Sequence, residues 1–256
     1  MILKSITELL KKPTRIVSLV PSQTELFHFL ELELETIGIT KFCVHPTSWH
    51  REKVKIGGTK NLDIEKIISL EPDLIIANKE ENVKEQVEKL ANGFNVWVTD
   101  VNNLDDAIQM IKDIGSITKK ESKASTLIQS IKNEFLRNQH HLNTLKNVVY
   151  LIWKDPYMTI GGDTFISNML LQAGYKNIFD HTLRYPEVSV ELLQDLKPEY
   201  IFLSSEPYPF SNKHLEELKS ALPDSKIILV NGEMFSWYGP RLLQAANYFN
   251  QLHLKI

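Results

Sequence analysis

Only one cysteine, Cys43, occurs in the 256 residues. That excludes an intrachain disulfide and any zinc or iron–sulfur site built from several cysteines of one chain. An excess of either charge is also lacking: 29 Lys and Arg face 32 Asp and Glu, leaving −3. Such a balance gives no overall electrostatic reason to approach nucleic acid or an anionic membrane. No apolar run approaches the ~18 residues of a membrane span. The N-terminus MILKSITELLKKPTRIV has neither an apolar h-region nor a small-residue cleavage site, so no secretion signal is expected in the chain as written. Enzyme signatures are missing as well. There is no glycine–lysine phosphate loop, no G-x-G-x-x-G after the first strand, no G-x-S-x-G elbow and no H-E-x-x-H pair.

What is present is an ordinary packed-protein composition, 43% apolar and 24% charged, in a length that suits one large domain or two smaller ones. From Arg15 a short apolar run (Ile16, Val17, Leu19, Val20) stops at Pro21 and changes to helical spacing. Ser22 stands three residues before Glu25, the capping-box spacing, so a helix is expected to start at Ser22. LDIEKIISLEPDLIIA reads as a helix broken at Pro72, then a buried strand from Leu74 to Ala77. Val83 to Leu90 suits a further helix and FNVWVTD a further strand. Strands separated by helices imply parallel sheets with helical crossovers. A polar helical stretch runs from about Asp105 to Leu145, with Leu127, Ile131 and Phe135 on one side. Thr118 and Glu121 repeat the capping-box spacing, and a continuous helix from Lys119 to Asn143 would measure about 37 Å, long enough for a spine. His140 and His141 fall on its polar face.

The pattern then restarts. NVVYLIW opens a second set of strands, GGDTFISNMLLQAG reads as a turn, a cap and a helix ending at Gly174, and VSVELLQDLKPEYIFL repeats the helix–proline–strand unit. The repeat is gapless at an offset of 126 residues: Asp63 matches Ser189 as helix cap, Glu65 matches Glu191, Pro72 matches Pro198 and Ile75 matches Ile201. The expected fold class is α/β, two Rossmann-like lobes with parallel sheets joined by one long helix. The expected domains are 1–102, the helical segment 103–145, and 146–256. Two such lobes would place a ligand cleft at their strand ends.

The residues just after each strand are therefore the candidates for ligand contact. They include Ser22 and Gln23, Phe42, His45 and Trp49, Asn78, Trp153 and Tyr157, Tyr208, and Glu233, Phe235 and Trp237. Three of the four tryptophans lie in these loops, and flat aromatic side chains suit a large planar ligand. His45 and His50 flank Trp49, and an imidazole there could bind a metal or simply make a hydrogen bond; His45 is the candidate metal ligand. Cys43 and His45 could also be imagined as nucleophile and base, with a small buried thiol as the competing reading. Glu65 and Glu191 stand in the first turn of their helices, where a carboxylate meets the positive helix end. Their equivalence also offers a two-point contact to a partner bearing paired cations.

RIVSLVPSQTELFHFL, IGGTKNLDIEKIISLEPDLIIA, GGDTFISNMLLQAGYKNIF, RYPEVSVELLQDLKPEYIFL and GEMFSWYGPRLLQAANYF resemble, in order, the motifs of the class III, helical-backbone periplasmic binding proteins. The resemblance covers nearly the whole chain from Arg15. It implies a non-enzymatic, monomeric solute receptor with no intrinsic cofactor, which delivers a metal chelate, a cobalt corrinoid or a ferric siderophore, to an ABC permease. It also implies that Glu65 and Glu191 dock onto the permease. Ligand-facing family positions fall on His45, Asn78, Tyr185 and Glu233, where this chain departs from the aromatic residues that cradle cobalamin at the first three. The implied location is periplasmic or membrane-associated; a native signal-less N-terminus would instead mean a cytoplasmic carrier or sensor, or an enzyme using His45, Cys43 and Glu233.

Overall fold

Apolar runs of two to six residues, punctuated by proline, glycine or a capping residue, form ten parallel strands among the described residues of the computed structural model, 1–9, 11–137 and 145–255. The chain divides into two units. The first comprises Met1–Val101, Asp105–Ser130 and Tyr238–Arg241; the second comprises Asn102–Leu104, Ile131–Trp237 and the segment from Leu242 onward.

In the first unit β1 (Ile2–Leu3), β2 (Ile16–Ser18), β3 (Thr36–Ile39), β4 (Val54–Lys55), β5 (Leu74–Asn78) and β6 (Val96–Thr99) form one sheet in the order β1-β6-β5-β2-β3-β4. Its crossovers carry α1 (Pro21–Phe29), α2 (Thr47–Glu52), α3 (Ile64–Ser69) and α4 (Lys84–Ala91). The second unit holds β7 (Lys146–Leu151), β8 (Tyr175–Asn177), β9 (Tyr200–Ser204) and β10 (Lys226–Val230), in the order β10-β9-β7-β8. Helices α7 (Phe165–Gln172), α8 (Val190–Leu196), α9 (Asn212–Ala221), α10 (Glu233–Ser236) and α11 (Arg241–Lys255) complete the chain. The inner order β6-β5-β2-β3 is thus repeated as β10-β9-β7-β8. Every residue of β5 and of β9 is buried, as expected for central parallel strands covered on both faces.

The repeat extends to local detail. The Asp63 side chain accepts the Lys66 amide and the Ser189 side chain accepts the Leu192 amide, so α3 and α8 carry equivalent N-caps. Both helices end through a left-handed residue that is not glycine: Glu71 at φ 45° and Lys197 at φ 46°, again 126 residues apart. In the first unit Arg15 supports that turn, its Nε donating to Glu71 O at 3.1 Å and a terminal nitrogen to Leu70 O at 2.5 Å. These bonds occupy carbonyls that a helix end leaves without intrahelical partners.

Two expected helix starts are corrected. Helix α1 begins at Pro21, not Ser22, with Val20 as an extended cap that offers no side-chain bond. Proline presets the first helical φ and has no amide to satisfy, so the box at Ser22 and Glu25 is not used. The helical stretch expected from about Asp105 is two helices, and the helix expected from Lys119 starts at Glu121. Helix α5 (Leu104–Thr118) ends where Lys119 adopts φ 60°, and α6 (Glu121–Arg137) starts two residues later. Thr118 Oγ1 donates to Ile114 O at 2.6 Å inside α5 and does not cap α6. The two helices meet at Gly115, where an added Cβ would lie 2.4 Å from Ala124 Cβ. Leu127, Ile131 and Phe135 are buried as the spacing predicts. The expected end at Asn143, with His140 and His141, lies outside the described residues.

Candidate functional site

In the first unit the loops after β2, β5 and β6 are knitted together by buried amides and hydroxyls. Gln23 Nε2 donates to Thr99 Oγ1 at 2.6 Å, and Asn78 Nδ2 donates to Thr99 O and Oγ1 at 3.1 Å each. Asn78 Oδ1 accepts the Glu80 and Glu81 amides, while Asn82 Nδ2 donates to Leu19 O and Thr59 O. The Tyr238 hydroxyl lies with Ser22, Gln23 and Thr99, and burial pushes its pKa well up. Ser22, Gln23 and Asn78 are all buried. Asn78 fastens the loop backbone after β5, because buried amides must find partners.

The loop after β3 separates its residues sharply. Trp49 is 1% exposed, its Nε1 donates to Glu33 at 2.7 Å, and His28 stands edge-on at 5.3 Å. It is a core residue, not a ligand platform: the short helix α2 turns its ring inward. Phe42, by contrast, is 50% exposed with the Lys41 ammonium 5.1 Å from its ring centre, and His45 is half-buried. His50 Nδ1 lies 3.2 Å from Cys43 O, an ordinary loop contact. Among the described residues no three His, Cys, Asp or Glu side chains converge as a metal site.

Cys43 is fully buried. Its sulfur receives Thr24 Oγ1 at 3.1 Å and lies 3.2 Å from Thr40 Oγ1, and burial raises the thiol pKa above its usual value. A thiolate nucleophile needs the opposite environment. Native protein should therefore react with Ellman's reagent at pH 8 about tenfold or more slowly than urea-unfolded protein; equal rates would show an accessible, activated thiol.

The second unit builds its strand-end surface from aromatics. Trp153, after β7, is 41% exposed, and the Tyr208 ring after β9 lies edge-on to it at 5.6 Å. Tyr157, Tyr185, Tyr208 and Glu233 are half-buried. The surface is braced from behind. Lys154 and Glu217 pair at 2.5 Å, each holding the other charged, so the lysine pKa rises and the glutamate pKa falls. Arg184 pairs with Asp163 at 3.2 Å, and the Arg184 amide donates to the same carboxylate. Gly162 lets this loop close against its neighbour: an added Cβ would stand 2.0 Å from Asp180 O.

Phe235 and Trp237 depart from expectation. Phe235 is 0% exposed among Tyr150, Phe202, Tyr248 and Phe249. Trp237 is 7% exposed with Nε1 donating to Glu206 Oε1 at 2.9 Å, the oxygen that also receives Ser236 Oγ at 2.6 Å. The short helix α10 carries both rings into the protein. The residues still open at strand ends are Phe42 and His45 in the first unit and Trp153, Tyr157, Tyr185, Tyr208 and Glu233 in the second. Sequence reasoning missed two residues behind them, Arg184 and His214. Only His214 carried a usable signal, its place three residues after Ser211.

Glu65 and Glu191 are exposed in the first turns of α3 and α8. The Glu191 carboxylate pKa is held below its usual value by the residue's own backbone amide and by the Ser189 hydroxyl.

Two α/β units repeat one parallel-sheet order, and the second presents open aromatic loops at its strand ends. The chain belongs to the periplasmic binding protein family, which it matches over residues 16–223. It is 28% identical over 249 residues to the uncharacterized ABC transporter substrate-binding lipoprotein YvrC of Bacillus subtilis strain 168, covering 91% of this chain and 78% of that one. It is 26% identical over 242 residues to the vitamin B12-binding protein of Pectobacterium carotovorum subsp. carotovorum strain PC1, covering 91% and 86%. A periplasmic heme binding protein from Pseudomonas aeruginosa shares the fold with a TM-score of 0.81 at 19% identity, over 94% and 92% of the two chains. Family membership makes the role binding, not catalysis. Among the described residues no helix is long and apolar enough to cross a membrane.

Proposed function

We propose that this protein is the receptor of an ABC importer for a metal chelate of the corrinoid, haem or ferric siderophore class, working outside the cytoplasmic membrane. The observation that carries the reading is the aromatic surface of the second unit. Trp153, Tyr157, Tyr185 and Tyr208 stay open on loops whose backbones are pinned by ion pairs and a close glycine contact. Rigid rings offer large contact area at small entropy cost. Relatives that bind vitamin B12, and a heme binding protein of the same fold, support a chelate as the occupant. Glu233 would add a polar contact.

Absorbance and fluorescence titrations with cyanocobalamin, haemin and a panel of ferric hydroxamates and catecholates test it. At least one should bind with Kd below about 10 μM, and Trp153→Ala should weaken it about tenfold or more. Failure of every chelate to bind below about 100 μM would overturn the reading. The partner in delivery is the importer's permease. Equivalent exposed carboxylates at Glu65 and Glu191, on matching helices of the two units, suit paired basic residues on it.

A further inference from the structure

Helix α9 opens on a capping box with an unusual member. Such boxes place glutamate or glutamine three residues after the cap; here the residue is His214. Its Nδ1 accepts the Ser211 backbone N–H at 3.0 Å, and the Ser211 hydroxyl lies 3.1 Å from the same nitrogen. A neutral imidazole that accepts at Nδ1 carries its hydrogen on Nε2. That nitrogen lies 3.2 Å from the Tyr208 hydroxyl, so it donates there. The His214 ring also stands edge-on to Tyr208 at 5.4 Å and to Phe210 at 5.6 Å. One side chain therefore caps the helix and holds a tyrosine that stands edge-on to Trp153.

We propose that His214 is a positioning residue of the ligand surface, fixing the Tyr208 ring against Trp153, and that it makes solute affinity fall on acidification. This rests on the proposed ligand surface. A second proton on the ring must sit on Nδ1, which then faces the Ser211 N–H donor to donor. The charged groups around the ring set where it goes. Glu217, one turn along α9, is joined to Lys154 of the β7 loop and lies 4.0 Å from Lys213. Asp155 and Tyr157 come from the β7 loop, and Tyr208 from the β9 loop. Glu217 is the carboxylate that feels the His214 charge. An imidazolium drawn toward it gives up both the cap and the Tyr208 hydroxyl.

The test compares wild type with His214→Gln, His214→Ala and Trp153→Phe, at pH 7.5 and 5.5. Glutamine is a regular partner in the box, so His214→Gln should keep Tm within about 2 °C of wild type while His214→Ala loses more. Of cyanocobalamin and haemin, whichever the wild type binds should bind His214→Gln about three- to tenfold more weakly at pH 7.5, with no further loss at pH 5.5. Wild-type affinity at both pH values in His214→Gln would overturn the proposal, leaving His214 as a cap alone. A ligand-free readout separates this from the choice of chelate. Tryptophan emission should change between the two pH values in wild type and not in His214→Gln or Trp153→Phe. If neither probe binds wild type, the emission titration still decides: an unchanged pH response in His214→Gln refutes the positioning role.

Discussion

Replacing Arg241 by leucine is expected to lower folding stability by about 3–5 kcal/mol and the melting temperature by about 10 °C. The guanidinium meets the Glu25 carboxylate through two nitrogens, at 2.8 and 3.1 Å. Their side chains are only 7% and 15% exposed. With so little exposure, water replaces the partner only in part, so the leucine variant leaves the carboxylate poorly compensated. The size of the loss reflects that stranded charge more than the worth of the pair, because much of the attraction in a buried pair is offset by the desolvation of both ions. The double variant Glu25→Leu/Arg241→Leu should accordingly recover much of the stability. Denaturant unfolding of the wild type, both single variants and the double variant measures the coupling. A single-variant loss below about 1 kcal/mol would place the pair with ordinary surface ion pairs.

Replacing Glu65 and Glu191 together by alanine should reduce uptake of the chelate to background while changing its Kd by less than about twofold. Both carboxylates are exposed, and the caps of their helices belong to Asp63 and Ser189, so neither fold nor ligand surface depends on them. What disappears is a matched pair of negative charges. Charge-assisted contacts across an interface cost about 2–5 kcal/mol each when one partner is truncated, so one alanine should impair delivery and two should abolish it. The lowered pKa of Glu191 keeps that carboxylate ionised at mildly acidic pH. Uptake by cells carrying each variant, with Kd measured on the purified proteins, checks both halves. Transport at wild-type rate by the double variant would remove these residues from the docking surface.

The repeat was legible because its signals are local. A capping residue, an amphipathic turn, a proline and an apolar run occur twice at one spacing, and β5 and β9 stand where that spacing puts them. The short strands were not legible. Ile2–Leu3, Thr36–Ile39 and Val54–Lys55 are too brief for periodicity, and each is completed by a parallel partner distant in sequence or brief itself. The break at Lys119 carried no glycine to announce it; the positive φ falls on a lysine. At the site, sequence order identified which residues follow strands but not which way they face. Trp49 and Phe235 turn inward while Trp153 and Phe42 stay out, a choice made by the short helices α2 and α10 and not by residue type. Asparagine at Asn78 looked available for a ligand, yet both ends of its amide are bonded to Thr99 and to the amides of Glu80 and Glu81.

The ion pair between Glu25 and Arg241 joins residues 216 apart in sequence, and Tyr238–Arg241 belongs to the first unit although nearly all of the second precedes it. During synthesis the first unit therefore cannot complete itself when its sheet has emerged; it waits for a four-residue segment made after all four strands of the second unit. No single cut separates the halves into contiguous pieces that each hold all their own parts. A gene fragment encoding residues 1–130 would make a sheet with its arginine missing, so the chain must be expressed, inherited and engineered whole.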